Sequence, residues 1–260
     1  MEFDWLLTVP VAHRGLHDDE YPENSMPSFR AAIEHGFNIE IDVHLTRDGA
    51  LVVFHDDTLK RVCGVDGKVR DFTLEELKKL RLCDTEYTIP TFDEFLQLVA
   101  GKTGILCEIK GLNPYDNSIA EAVCRRVEHY EGNIALQSFN YGAVRYCRRH
   151  SDRPSGQLVT WMGLKGKQRA HMMDFMGKLW INRISKPHFI AYDIRSAADN
   201  KYLEKARELL PVLVWTVNTP ERLDTAMQVA DNIIFEDIAP LVEEKFAGRL
   251  KKDAPLSPVI

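Results

Sequence analysis

Eight short runs rich in β-branched and aromatic residues recur along the chain, most of them separated by amphipathic stretches. They are "VPVAH" (9–13), "NIEIDV" (38–43), "GILCEIKG" (104–111), "IALQSF" (134–139), "GQLVT" (156–160), "FIAYDI" (189–194), "PVLVWTVN" (211–218) and "NIIFED" (232–237). Helical patterns lie between them at 27–36, 116–130, 140–150, 199–210, 220–230 and 239–247. Strand–helix alternation repeated eight times in one chain of 260 residues is the pattern of a (β/α)₈ TIM barrel. A doubly wound open sheet is the rival, but no GxGxxG follows the first run.

One interval is too long for a single helix. After the second run come "ALVVFHDDTL", "CGVDGKVRDF" and "TLEELKKLRL". The Arg47-Asp48-Gly49 turn predicts a hairpin that folds "LVVFH" back on the second strand and sets His55 level with Ile41 and Asp42. Thr73 with Glu76 and Thr91 with Glu94 are capping boxes that start helices, the latter the second barrel helix. The reading is one catalytic domain over 1–250, with a small insertion at 57–90 and a C-terminal tail at 251–260.

The second strand, "NIEIDVHL", decides what the barrel is for. Side chains alternate across a strand, so Ile39, Ile41 and Val43 share one face and Glu40, Asp42 and His44 the other. An edge strand with one wet face shows the same alternation, yet Leu106, Glu108 and Lys110 repeat it on the third strand. In a barrel such residues gather near the carboxyl ends of the strands, where His13-Arg14-Gly15 also lies.

Glu40, Asp42 and Glu108 form a hard oxygen set suited to Ca²⁺, Mg²⁺ or Mn²⁺ rather than to zinc or copper. Three buried acids repel one another, and a divalent ion relieves that. Arg14 and Lys110 are then available for an anion, while His13 and His55 exchange protons near neutrality. Metal, anion clamp and two histidines point to metal-assisted phosphoryl transfer.

Bulk properties narrow the partners. The net charge of −6 argues against nucleic acid. Five scattered cysteines without a CxxC read as reduced packing residues, and no apolar run approaches membrane-spanning length, so a cytoplasmic protein without a transmembrane segment is expected. The stretch 164–186 carries six Lys or Arg against one Asp, with Met172, Met173, Met176, Leu179, Trp180 and Ile184 at helical spacing. Peripheral membrane contact there is the less favoured reading, and a barrel helix with a wet basic face the favoured one.

The chain resembles the glycerophosphodiester phosphodiesterase family through "AHRG" (12–15), "PENS" (22–25), "EIDVHLTRDGALVVFHD" (40–56), "IPTFDEFL" (89–96), "EIKG" (108–111) and "WTVN" (215–218). The resemblance implies a (β/α)₈ barrel with a small insertion, and divalent-cation-dependent hydrolysis of glycerophosphodiesters to glycerol 3-phosphate and an alcohol. It implies His13 and His55 as general acid and base, and Glu40, Asp42 and Glu108 as metal ligands. Arg14 and Lys110 would contact phosphate, Glu23 would contribute from outside, and Trp215 would wall the glycerol or leaving-group pocket.

Two departures from the family pattern stand out. Phe235 and Glu236 replace the usual Thr-Asp pair of the last strand, and Ser25 stands where Thr is frequent. Two rival readings keep the same barrel: a lysophospholipase D whose lipid-facing entrance uses 164–186, and a non-catalytic phosphodiester-binding barrel. His44 is assigned no role, His17 is read as a surface residue, and Asn24 as a loop-holding residue as readily as a ligand neighbour.

Overall fold

The structure, a computed structural model, describes residues 3–160, 179–197 and 201–250. All eight expected strands are present, and the hairpin adds a ninth. They are β1 (Val11–Ala12), β2 (Asn38–Leu45), β3 (Leu51–Val53), β4 (Ile105–Ile109), β5 (Ile134–Ser138), β6 (Ser155–Val159), β7 (Phe189–Asp193), β8 (Val212–Val217) and β9 (Asn232–Phe235). Eight of them pair in parallel, and the β1–β2 pairing closes the ring. β3 runs antiparallel on the far end of β2, with Val43 opposite Val53. The Phe54 amide then donates to the Asp42 carbonyl, which brings His55 to the predicted level.

The alternation read from sequence sorts the barrel into two packed layers. Outward-facing Ile39, Ile41, Val43, Ile105, Cys107 and Ile109 are buried against the surrounding helices. Inward-facing Val11, Leu106, Ala135, Leu158, Ala191, Leu213 and Ile234 fill the floor of the barrel. Each fully buried Leu, Ile or Val contributes about 1.5–3 kcal/mol over its exposed state, so this sorting alone holds the register. Leu6 of the N-terminal helix Asp4–Thr8 joins the floor cluster from below.

Local sequence starts the elements. Ser25 accepts from the Ser28 amide and Pro27 follows, which begins the helix Met26–Glu34. Thr91 and Glu94 close a capping box ahead of Phe92–Val99, and Thr73 and Glu76 do the same ahead of Leu74–Leu77. Between β3 and Phe92–Val99 the chain builds a satellite cluster from Val52, Phe54, Leu59, Val62, Val69, Leu77, Leu82 and Ile89. The insertion therefore sits on its own small apolar base above β2 and β3.

No described helix is long and apolar enough to cross a membrane. Residues 164–178 of the basic stretch and the tail at 251–260 lie outside the described residues. The remainder of the basic stretch contains a short helix, Asn182–Ser185, with Leu179 buried and Trp180 and Ile184 exposed.

Candidate active site

The polar residues of β1, β2, β4 and β9 converge at one mouth of the barrel. Glu40 and Asp42 lie mid-strand on β2, which runs on to Leu45, and Asp42 is level with Glu108 on β4. One carboxylate oxygen from each of Glu40, Asp42 and Glu108 lies within 4.8 Å of the others, and all three residues are buried. Lys110 Nζ donates to Glu108 Oε1 at 2.8 Å and to Asp42 Oδ1 at 3.1 Å. The Arg14 amide donates to Glu40 Oε2 at 3.1 Å, and Arg14 Nε lies 3.5 Å from Asp42 Oδ2.

Burial, reinforced by Asp42 and Glu108, pushes the Glu40 carboxyl well above the ordinary range. Burial raises Glu108 too, against the pull of Lys110. For Asp42 the order reverses: burial opposes ionisation, but Lys110, His55 and Arg14 overcome it and hold the carboxyl below its usual value. Three buried acids face only two nearby cations, Lys110 and Arg14, the latter shared with Glu23, and the shortfall of positive charge adds to burial in raising the Glu40 carboxyl. A hard divalent cation fits that deficit and that donor set.

Backbone shape brings Arg14 and Asn24 close to the cage. Arg14 and Asn24 both have positive φ, 58° and 52°, where Asn is tolerated and Arg is uncommon. Gly15 follows at φ 83°, and a Cβ there would lie 2.5 Å from Ser28 Oγ. Only glycine lets this loop press against the helix Met26–Glu34. Asn24 Nδ2 donates to Asp42 Oδ2 at 2.9 Å, so Asn24 is a neighbour of the carboxylate cage.

Each candidate histidine has a carboxylate on Nδ1. His13 meets Glu236 Oε2 at 2.8 Å, and His55 meets Asp56 Oδ1 at 2.5 Å. A carboxylate only accepts, so Nδ1 carries the proton in both rings and Nε2 is left for chemistry. Burial lowers both histidines, opposed mainly by Glu236 at His13 and by Asp42 at His55. Glu236 is itself held to about 2, chiefly by its bond to His13. The altered end of the last strand thus keeps a carboxylate on His13, while Phe235 packs outward edge-to-face on Phe37 at 4.8 Å.

Several residues take places that sequence reasoning did not assign. His44 Nε2 donates to the His55 carbonyl at 3.2 Å. His17, read as a surface residue, is only 15% exposed in its side chain and lies 3.5 Å from Glu236 Oε1. The loop after β1 turns it back into the mouth, so the surface reading is corrected. Glu23 has both oxygens engaged, by Arg14 Nη1 at 3.0 Å and by the Arg61 guanidinium at 2.7 Å. Arg61 belongs to the insertion, and nothing in its local sequence marks it.

The opposite side of the mouth is less charged. Trp215 meets Phe139 edge-to-face at 5.6 Å, and its Nε1 donates to the Ala191 carbonyl at 3.1 Å. Asp193 is buried, accepting from Thr160 and from Arg195. Gln137, level with Glu108, is buried with its Oε1 unpartnered among the described residues. A cleft of about 310 Å³ at the mouth is lined by His55, Asp56, Glu108, Lys110 and Phe139, among others.

Comparison with known proteins places these features in a family. Residues 13–238 match the model of the glycerophosphoryl diester phosphodiesterase family. A glycerophosphodiester phosphodiesterase of Bacillus altitudinis is 36% identical over 149 residues, 53% of this chain and 60% of that relative. A Mycobacterium tuberculosis protein named "Probable glycerophosphodiester phosphodiesterase 2" is 37% identical over 93% of this chain and 91% of its own. The crystal structure of a glycerophosphodiester phosphodiesterase from Thermotoga maritima superposes with a TM-score of 0.72 at 27% identity, covering 91% of this chain and 98% of that one.

Proposed function

Because the chain belongs to the glycerophosphoryl diester phosphodiesterase family, we propose that it hydrolyses glycerophosphodiesters to sn-glycerol 3-phosphate and an alcohol. The observation that carries this reading is the meeting, at one barrel mouth, of a buried three-carboxylate cage with two carboxylate-oriented histidines. Glu40, Asp42 and Glu108 hold one divalent cation, with Ca²⁺, Mg²⁺ and Mn²⁺ all suited to the oxygen set. When bound, such an ion neutralises phosphate charge and makes a nearby hydroxyl more acidic.

The rest is the work of this chain's own residues. Arg14 and Lys110 contact the phosphate oxygens, with Arg able to grip two at once. One histidine, neutral with Nε2 free, takes the proton of the glycerol 2-hydroxyl as that oxygen attacks phosphorus; the other enters the step as the imidazolium, protonated on Nε2 as well as Nδ1, and gives its Nε2 proton to the departing alcohol. Water then opens the cyclic phosphate with the two roles reversed. Trp215 and Phe139 wall the organic part of the substrate and shield the reacting groups from bulk water. Water-soluble substrates and a cytoplasmic setting complete the proposal.

The test is release of glycerol 3-phosphate from glycerophosphocholine and glycerophosphoethanolamine by EDTA-stripped protein, before and after adding Ca²⁺, Mg²⁺ or Mn²⁺. Metal-restored release that is lost in H13A supports the reading. Absence of release with all three metals, from protein shown to be folded, sinks it. A 2-deoxyglycerol analogue tests the cyclic course, since undiminished turnover of that analogue excludes it.

A further inference from the structure

The insertion reaches the active site through one side chain. Arg61 follows the HDD turn in the short helix Lys60–Cys63 and lies between two acids that serve different parts of the mouth. Its Nε donates to Asp56 Oδ2 at 2.7 Å and its Nη2 to Asp56 Oδ1 at 3.1 Å. Its Nη1 donates to Glu23 Oε2 and its Nη2 to Glu23 Oε1, both at 2.7 Å. Asp56 in turn holds His55 Nδ1, and Glu23 holds Arg14 Nη1. The chain His55–Asp56–Arg61–Glu23–Arg14 is therefore continuous, with every link a charge-assisted contact.

From this we infer that Arg61 is a positioning residue that fixes the His55 ring and the Arg14 guanidinium relative to each other. The inference rests on the phosphodiesterase reading for its kinetic part and on the structure alone for its spectroscopic part. Its physical basis is geometry. A guanidinium fork presents several donors in one plane, so it can hold two carboxylates in a fixed relation, which a lysine point charge cannot. Arg61 is 49% exposed in its side chain, and exposed ion pairs add little to folding stability. A purely structural role would therefore be a weak one, whereas a positioning role acts on rate and binding. His13 shows the contrast: its carboxylate comes from β9 of the barrel itself and needs no such strut.

The two arms can be cut separately. D56N frees only the His55 arm, so kcat falls about 10- to 100-fold with KM near the parent value. E23Q weakens only the Arg14 arm, so KM rises with kcat nearly kept. R61A cuts both, and kcat falls while KM rises; R61K recovers less than half of either loss. Long-range ¹H–¹⁵N NMR of the histidine rings in metal-stripped protein reads the His55 tautomer without any turnover. The Nδ1–H form dominates in the parent and gives way to a tautomer mixture in R61A. The inference is overturned if R61A keeps the parent tautomer, or if its kcat and KM both stay within twofold of the parent. If parent protein shows no turnover but the tautomer change occurs, the function reading fails and the positioning inference stands.

Discussion

The two halves of the barrel mouth are built to different rules. The strands β9, β1, β2 and β4 present Glu236, His13, Glu40, Asp42, Glu108 and Lys110, tied together by direct charged contacts. The strands β5 to β8 present Gln137, Thr160, Asp193 and Trp215, with Phe139 just beyond β5. There Asp193 is already matched by Arg195, and Trp215 and Phe139 meet edge-to-face. One half concentrates unmatched charge and the other matches or lacks it. Under the proposed function, the first half would do the chemistry and the second would receive the organic group.

That division can be broken by substitution. Truncating a histidine of the charged half, as in H13A, is expected to lower kcat by about 10²–10⁴-fold while the fold stays intact by circular dichroism. E236Q leaves His13 in place but removes the charge on its Nδ1; a loss of about 10- to 100-fold in kcat/KM is expected from steady-state assays. In the other half, W215F keeps an aromatic face but loses the Nε1 donor to Ala191 and part of the contact with Phe139. The expected result is a rise in KM of about 2- to 10-fold with kcat little changed, in line with the size of one aromatic pair. A W215F loss confined to kcat would dissolve the distinction between the halves.

The smallest effect concerns acid stability. Glu236 titrates near 2 in the folded protein against an ordinary 4.5. A lowered folded pKa stabilises the fold above the unfolded value and loses that contribution as pH falls through the folded one. The gap in Tm between the parent and E236Q is therefore expected to be full above about pH 4.5 and to close toward pH 2, read by thermal melts across that range.

Much of the charged half was legible because its signal is local. Glu40 and Asp42 interrupt a run that periodicity otherwise assigns to buried strand, and Glu108 with Lys110 repeats the interruption. His55 was placed by the turn Arg47-Asp48-Gly49, since hairpin geometry fixes the level of whatever follows. What escaped depends on distant pairs. Glu236 was visible as a departure, but its contact lies 223 residues away on His13. Arg61 reads as one more surface charge until the insertion folds over Glu23. His17 looked superficial because nothing in "GLHDD" tells that its loop turns back into the mouth.

The seam of the barrel has a consequence for how the molecule comes into being. β1 contributes two residues, Val11 and Ala12, which pair with Asn38 and Ile39 on one side and with Ile234 and Phe235 on the other. Asn38 and Asn232 clip the preceding chain from either flank by donating to the carbonyls of Trp5, Leu6 and Val9. The carboxylate cage needs only β2 and β4 and lies wholly in the first half of the chain. His13 acquires its carboxylate partner only when β9 arrives. A chain in synthesis thus holds all three cage carboxylates and the His55–Asp56 pair long before the carboxylate that meets His13 exists, so the two histidines acquire their partners at opposite ends of synthesis.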